Sequence, residues 1–180
     1  MKLCMFSPMT EELERGWPGR IDGDVVVQLA AQTLQSFFSG GGSAREHARY
    51  SIAEIVFRAP VLHPPSVRLF DESGDFVFAN PAAIIAAHAV VPRPAGVDEI
   101  VPVNRIAAIV DAEGAIGGFT PMIEWTAPSL EGVKARDFAL SLGPIVTTPD
   151  EDTPPGIDWE RLRAHAAANT RLYPGDLLAV

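Results

Sequence analysis

The sequence is short of several features that would assign a function class at once. Cys4 is the only cysteine among 180 residues, so an internal disulfide is impossible, and no Cys and His spacing resembles a zinc site. Basic residues are also outnumbered: the chain has 14 Lys and Arg residues and 23 Asp and Glu residues, which gives a formal net charge of -9. A field of this sign repels phosphate groups and anionic lipid headgroups. Nucleic acids and membrane surfaces are therefore excluded as expected partners.

Long hydrophobic runs are absent as well. The longest, Ala82 to Val91, is interrupted by His88 and bounded by Pro81 and Pro92. It has about half of the roughly 20 residues that a membrane-spanning helix needs. Three glutamates among the first sixteen residues are unlike a signal peptide. We therefore expect a cytoplasmic protein.

Proline and glycine are abundant instead. Sixteen prolines and fifteen glycines separate short β-branched runs, which predicts a β-rich domain with few helices. In the first unit, residues 1–50, Lys2–Phe6 and Arg20–Ile21 have extended character and Asp22-Gly23 is a hairpin signal. Apolar residues at helical spacing predict a helix over Leu29–Phe38, ended by glycines from Gly40.

The second unit, residues 51–180, is predicted to be mostly sheet. Short apolar runs follow one another from Ile55, separated by Asp, Gly, Ser and Pro clusters. One late helix is predicted from Trp159 to about Ala168, with Asp158 as its N-cap and Trp159, Leu162 and Ala166 as its buried stripe. The predicted fold class is α+β, predominantly β.

The order of these segments resembles the fumarylacetoacetate hydrolase family, whose members hydrolyse C-C bonds, decarboxylate or isomerise oxo acids. The resemblance covers most of the chain, and the runs that carry it are YSIAEIVFRAPVLHPPSVRLF, DFVFANPAAIIAAHAVVPRP, VKARDFALSLGPIVTTPDE and LRAHAAANTRLYPGDLLAV. The third run is the most specific, since it matches a family lysine, an aspartate three residues later and a Leu-Gly-Pro turn. The resemblance implies a mixed β-sandwich or roll, preceded by a small unit made of a hairpin and a helix.

The family resemblance also implies a metal site that this sequence has altered. Enzymes of the family commonly hold Mg or Ca with a Glu-x-Glu pair on one strand and a further acid on the next, because hard cations prefer carboxylate oxygens. In this sequence the pair falls on Val103 and Arg105, and the further acid falls on Glu124. We therefore expect no metal cofactor. We also hypothesise that Arg105 pairs with Glu124 in place of the cation; the alternative is that Arg105 points to solvent.

Two more elements of the family's catalytic machinery have no counterpart in the sequence. The loop that would carry a general-base histidine is replaced by a predicted tight turn at Asp71 to Gly74, and Val180 ends the chain where a Gly-Thr-Pro substrate loop would follow.

Several other residues remain candidates for a site. Lys134 matches a family lysine near the substrate, where it would bind a carboxylate or, if desolvated, act as a base or an amine nucleophile. Asp137 matches the family aspartate three residues later and would orient Lys134. A solvated lysine and a turn-forming aspartate are the alternative interpretations. Two acidic pairs could in principle supply displaced metal ligands. A solvated hairpin turn is the simpler interpretation of Asp111 with Glu113, and a charged rim is the simpler interpretation of Asp98 with Glu99.

Two functions follow from these observations. The first is a divergent family protein that lacks the metal-dependent chemistry and acts as a binding or oligomer-partner protein, forming a homodimer or pairing with a full-length paralogue. The second is an active enzyme on a small oxo acid, with a rearranged or metal-free site in which Lys134, Glu124 and Asp137 would be catalytic and Arg105 and Lys134 would bind substrate. The residues favour the first.

Overall fold

The computed structural model describes residues 1–180 and contains two α-helices and thirteen strands. The helices are α1, Leu34–Ser39, and α2, Trp159–Ala167. The strands are β1 (Lys2–Pro8), β2 (Trp17–Asp22), β3 (Val25–Leu29), β4 (Glu46–Ser51), β5 (Ile55–Arg58), β6 (Val67–Phe70), β7 (Phe76–Ala79), β8 (Ile84–Ala86), β9 (Val101–Val110), β10 (Ile116–Thr126), β11 (Leu140–Leu142), β12 (Ile145–Thr147) and β13 (Leu177–Ala179). The predicted β-rich fold class is confirmed.

All thirteen strands belong to one large mixed sheet. Ten of them follow the order β4-β3-β2-β1-β12-β10-β9-β13-β6-β7, while β5 pairs with β1 and β11 pairs with both β10 and β8. Strand β1 is antiparallel to β2, β5 and β12, so it connects the beginning of the chain to the rest of the sheet. The two parallel pairs, β13 with β6 and β11 with β8, join segments that are distant in sequence.

The longest pairing is the β9–β10 hairpin, which positions the candidate site. Its two faces are covered differently. One face belongs to the main core of twenty buried apolar residues, including Ile109, Met122 and Leu140. The other is covered by α2 in a second core that contains Val110, Phe119 and Trp159. Because side chains alternate between faces, residues at every second position of β10 share the main-core face with Met122.

Helix α2 confirms its prediction closely. Asp158 accepts a hydrogen bond from the backbone N–H of Arg161 at 3.0 Å and so caps the helix. Trp159, Leu162 and Ala166 are its buried residues. Neither α1 nor α2 has the length and apolar character that a membrane-spanning helix requires.

The first unit departs from its prediction in two places. The hairpin is present, but Asp22 pairs with Val25, so Gly23 and Asp24 form its two-residue loop, with Gly23 at φ 62°. The helix is shorter than expected, because Leu29 belongs to β3 and Thr33 is the N-cap of α1. The Thr33 side chain accepts a hydrogen bond from the N–H of Ser36, and this capping preference outweighed the apolar periodicity before it.

Candidate functional site

The β9–β10 hairpin brings the altered metal-ligand positions together. Val103 lies directly opposite Glu124, and Arg105 lies opposite Met122. Directly paired residues of an antiparallel ladder project from the same face. The side chains of Val103, Arg105 and Glu124 therefore share the main-core face of the sheet.

Glu124 is enclosed by two guanidinium groups. Its side chain is completely buried, and its Oε2 accepts a hydrogen bond from Nε of Arg105 at 2.7 Å. Its Oε1 accepts a second hydrogen bond, from Nε of Arg136 at 2.6 Å, and Nη2 of Arg136 contacts the same oxygen. The hypothesis that Arg105 pairs with Glu124 is confirmed, and both oxygens of the carboxylate are occupied by cations.

Arg136 was not identified by sequence reasoning. It lies between Lys134 and Asp137, in the segment that most resembles the family. Those two residues match family positions and were therefore chosen as candidates, whereas Arg136 matches none. The only available signal was general: a buried carboxylate needs cations or donors, and Arg136 was among the few cations nearby in the chain.

Arg105 also crosses to another strand. Its Nη1 donates to the backbone oxygen of Phe70 at 3.2 Å, at the end of β6. Only 14% of the Arg105 side chain is exposed. The guanidinium thus links β10, β9 and β6, which makes it part of the packing on this face.

The donor set at this position does not fit a divalent cation. Val103 offers no ligand atom, Arg105 places a positive charge beside Glu124, and Arg136 places another. Oxygen ligands are what Mg and Ca require, and the single carboxylate here already carries charge-assisted hydrogen bonds. The side chains present at this position therefore do not form a binding site for Mg or Ca.

The displaced acidic pairs do not rebuild a metal site. Asp111 accepts hydrogen bonds from the N–H groups of Glu113 and Ala115, both at 2.9 Å, so it forms the β9–β10 turn at the far end of the hairpin. Asp98 and Glu99 are exposed on a loop before β9. Nowhere in the chain do three or more His, Cys, Asp or Glu residues converge in a metal-binding arrangement.

Lys134 and Asp137 form an exposed ion pair. Lys134 lies in a single 3-10 turn, Gly132–Ala135, and its Nζ is 2.7 Å from Oδ2 of Asp137. The lysine side chain is 74% exposed, so its ammonium stays hydrated. The backbone oxygen of Asp137 accepts a hydrogen bond from the Asn80 amide at 2.9 Å. The catalytic and substrate-binding roles of Lys134 and Asp137 remain predictions.

The position of the family's histidine loop is a tight turn between β6 and β7. The Asp71 carboxylate accepts hydrogen bonds from the N–H and hydroxyl of Ser73, and Gly74 adopts φ 85°. The hydrogen bond from the Ser73 hydroxyl lowers the pKa of Asp71 below its ordinary value. Arg161 of α2 also donates a hydrogen bond to the backbone oxygen of Ser73 at 2.8 Å, so local contacts and α2 both hold the turn.

A cavity of about 580 Å³ opens beside the Glu124 cluster. Arg136 belongs to both, since it hydrogen-bonds Glu124 and lines the cavity. The remaining lining residues come from the β6–β7 hairpin and the segment before β11: Leu69, Val77, Phe78, Ala79, Asn80, Gly132, Val133 and Asp137. The cavity is thus mainly apolar, with a polar side that contains Arg136.

No protein-family sequence model matches this chain, and no curated protein is similar to it in sequence at a significant level. Solved structures do match. Maleylpyruvate hydrolase from Sphingobium sp. SYK-6, in complex with manganese(II) ion and pyruvate, is 19% identical, with a TM-score of 0.76 over 99% of this chain and 87% of that one. 5-Carboxymethyl-2-hydroxymuconate delta-isomerase from Mycobacterium smegmatis is 18% identical, with a TM-score of 0.78 over the same shares.

A third similar structure is 2-keto-3-deoxy-D-arabinonate dehydratase complexed with magnesium and 2,5-dioxopentanoate. It is 15% identical, with a TM-score of 0.73 over 99% of this chain and 86% of that one. These similarities show a fold of the fumarylacetoacetate hydrolase type, as the sequence resemblance implied. At this level of identity they show the fold alone, and the chemistry has to be argued from the residues of this chain.

Proposed function

We propose that this chain is a fumarylacetoacetate hydrolase-like protein that lacks the family's metal-dependent reaction and acts as a binding or oligomer-partner protein. The observation that carries the proposal is the placement of Glu124 between Arg105 and Arg136, with both carboxylate oxygens hydrogen-bonded. A metal in such a site would polarise the substrate's oxygens and stabilise enolate charge. A carboxylate that is buried and shared by two guanidinium groups is not available for that purpose.

The energetics of the cluster favour its persistence. Removing a single partner of a buried ion pair leaves an uncompensated charge and costs about 3–5 kcal/mol. A divalent cation would have to displace Arg105 and Arg136 from Glu124 and would then approach two positive charges. The cost of breaking these ion pairs and the repulsion between the metal and the two arginines both oppose metal binding at this position.

An exposed sheet edge supports the oligomer role. Strand β7 ends the sheet order, pairs only with β6, and contains no charged residue. Val77 and Phe78 on this strand are 53% and 67% exposed. Uncharged edges and exposed apolar side chains are usually covered in soluble proteins. We infer a homodimer or a pairing with a full-length paralogue through this region.

The enzymatic alternative is a metal-free site for a small oxo acid around Lys134 and Glu124. It requires a desolvated amine or a free carboxylate as base. The Lys134 ammonium is exposed and paired with Asp137, and Glu124 has no free oxygen. These contacts support binding over catalysis.

Titration with Mg, Mn and Ca by calorimetry tests the proposal, with thermal unfolding followed in parallel. We expect no saturable heat and no rise in the unfolding midpoint, since a cation that binds the native state must raise it. Stoichiometric binding that disappears in Glu124→Gln would overturn the proposal. Cation binding that persists in Glu124→Gln lies elsewhere and leaves the cluster as described.

Sedimentation equilibrium tests the oligomer role separately. We expect a dimer at micromolar concentration that Phe78→Glu converts to a monomer. The matched control is Val90→Glu, at an exposed apolar residue in the loop after β8 and outside β7. A wild-type protein that stays monomeric at high micromolar concentration would contradict self-association and would leave only a paralogue as partner.

A further inference from the structure

The Glu124 cluster carries a surplus of positive charge. Arg105 and Arg136 contribute two cations, while Glu124 contributes one anion, and the neighbouring Lys134–Asp137 pair is balanced. The chain as a whole has a formal net charge of -9, so a local positive surplus is unusual for its surface. A ligand that complements the positive charge at the Glu124 cluster would therefore be an anion.

Arg136 directs part of this surplus toward the cavity. Its Nε and Nη2 are engaged by Glu124, whereas its Nη1 makes no hydrogen bond to the protein. The side chain is 41% exposed and lines the cavity. A guanidinium group whose position is already held by one carboxylate offers its remaining N–H donors to a second one without losing much conformational freedom.

The rest of the cavity is suited to an apolar group. Leu69, Val77, Ala79 and Val133 are among its lining residues, and Val77 and Val133 are 53% and 71% exposed. Its volume, about 580 Å³, lies within the range of about 300–1,000 Å³ that is typical of small-molecule sites. Burying the exposed valines against an aliphatic chain or ring removes apolar surface from water and therefore favours binding.

We propose that this cavity binds an organic monocarboxylate with an apolar body, whose carboxylate is held by Arg136 and whose chain or ring contacts Val77 and Val133. The ligand needs no oxo group, because no metal chelation is involved. The inference deepens the binding role proposed above and rests on it. Asp137 also lines the cavity, but its carboxylate is neutralised by Lys134 at 2.7 Å, so it does not repel the ligand strongly.

Octanoate is a suitable probe, with 1-octanol and octylamine as neutral and cationic analogues of the same chain length. Calorimetry or ligand-observed NMR on the full chain gives the affinities. We expect octanoate to bind at least tenfold more tightly than either analogue, and more tightly than acetate, which lacks the apolar chain. Equal affinities for octanoate and 1-octanol would overturn the proposal, because Arg136 would then have no part in binding.

Three variants locate the site. Arg136→Gln is expected to lower octanoate affinity at least tenfold, and Val133→Glu, at an exposed position that leaves the Glu124 cluster intact, is expected to do the same by repulsion and loss of apolar contact. Arg49→Gln is the matched control, since Arg49 is 60% exposed on β4 at the opposite end of the sheet order. Wild-type affinity in Val133→Glu would overturn the proposal even if Arg136→Gln failed to fold.

The outcomes separate this inference from the binding role on which it rests. Metal binding that depends on Glu124 overturns the proposed function, whatever octanoate does. Absence of octanoate binding overturns only this inference, because the metal titration and the sedimentation experiment test the proposed function independently of octanoate.

Discussion

Arg105 and Glu124 lie on adjacent strands and share a buried ion pair, with Nε of Arg105 2.7 Å from Oε2 of Glu124. The carboxylate is fully buried, and Arg105 is tied further to β6 by its hydrogen bond to the Phe70 backbone oxygen. The pair occupies the place where the family resemblance implies a metal centre. Its contribution to the structure is therefore open to direct measurement.

Removal of the carboxylate alone is expected to be costly. Glu124→Gln keeps the shape of the side chain but leaves Arg105 as an unpaired, largely buried cation, so we expect a loss of about 3–5 kcal/mol in the free energy of unfolding. Urea denaturation measures it. Glu113→Gln, at an exposed position of the β9–β10 turn, is the control and should change stability by less than about 0.5 kcal/mol.

Replacing both partners is expected to be less harmful than replacing one. In Arg105→Met combined with Glu124→Leu, apolar side chains fill the same volume and no buried charge remains on the two strands, while Arg136 is exposed enough to turn to solvent. The double variant should be more stable than Glu124→Gln. The matching double-mutant cycle uses the single variants Arg105→Met and Glu124→Leu. Strictly additive changes in the free energy of unfolding would show that the two side chains do not interact energetically.

Restoring carboxylates at the two altered positions is expected to create cation binding. In Val103→Glu with Arg105→Glu, two new carboxylates join Glu124 on one face of the hairpin, because Val103 lies directly opposite Glu124. The variant should be destabilised in EDTA and stabilised by Mn, as judged from its unfolding midpoint. Val103→Gln with Arg105→Gln is the neutral control, and equal responses to Mn in the two variants would refute the strand alignment.

Cys4 is expected to be inert in the native protein. The thiol is buried in β1, and desolvation raises its pKa from an ordinary value of 9.0 to about 12. Iodoacetamide at pH 8 should not label it until urea unfolds the chain. An exposed thiol introduced by Ser73→Cys serves as the positive control, and rapid labelling of two cysteines in that native variant would contradict the buried position of Cys4.

The same pKa shift predicts a loss of stability in base. Between pH 9 and about 12 the unfolded chain loses the Cys4 proton while the folded chain keeps it, so the free energy of unfolding falls as pH rises through this window. Cys4→Ala removes this contribution. The difference in stability between wild type and Cys4→Ala should therefore shrink from pH 8 to pH 11, as measured by urea denaturation.

Lys134 is expected to matter little for stability. Its ion pair with Asp137 joins residues three apart, and its side chain is 74% exposed, so solvent screens the attraction. Lys134→Gln should change the free energy of unfolding by less than about 1 kcal/mol. A much larger loss would indicate that the ammonium is desolvated, which would favour the enzymatic alternative.

The sequence determined those features that local chemistry controls. Alternating apolar residues and turn signals predicted the β-rich class, the Asp158 cap and buried stripe of α2, and the turn at Asp71, because each depends on residues a few positions apart. Where two local signals competed, as at Thr33, capping took precedence over periodicity and α1 came out shorter. The resemblance of ordered segments predicted the fold and placed Arg105 opposite the strand of Glu124.

Only the tertiary structure decided what surrounds Glu124. Arg136 reaches the carboxylate from a segment with no regular periodicity, and the direction of a long, flexible side chain cannot be read from spacing. The parallel pairing of β11 with β8 joins residues more than fifty positions apart, and such pairing depends on how the whole sheet closes. The cavity beside Arg136 and the free edge of β7 arise in the same way, because both are defined by segments that meet only after the chain has folded.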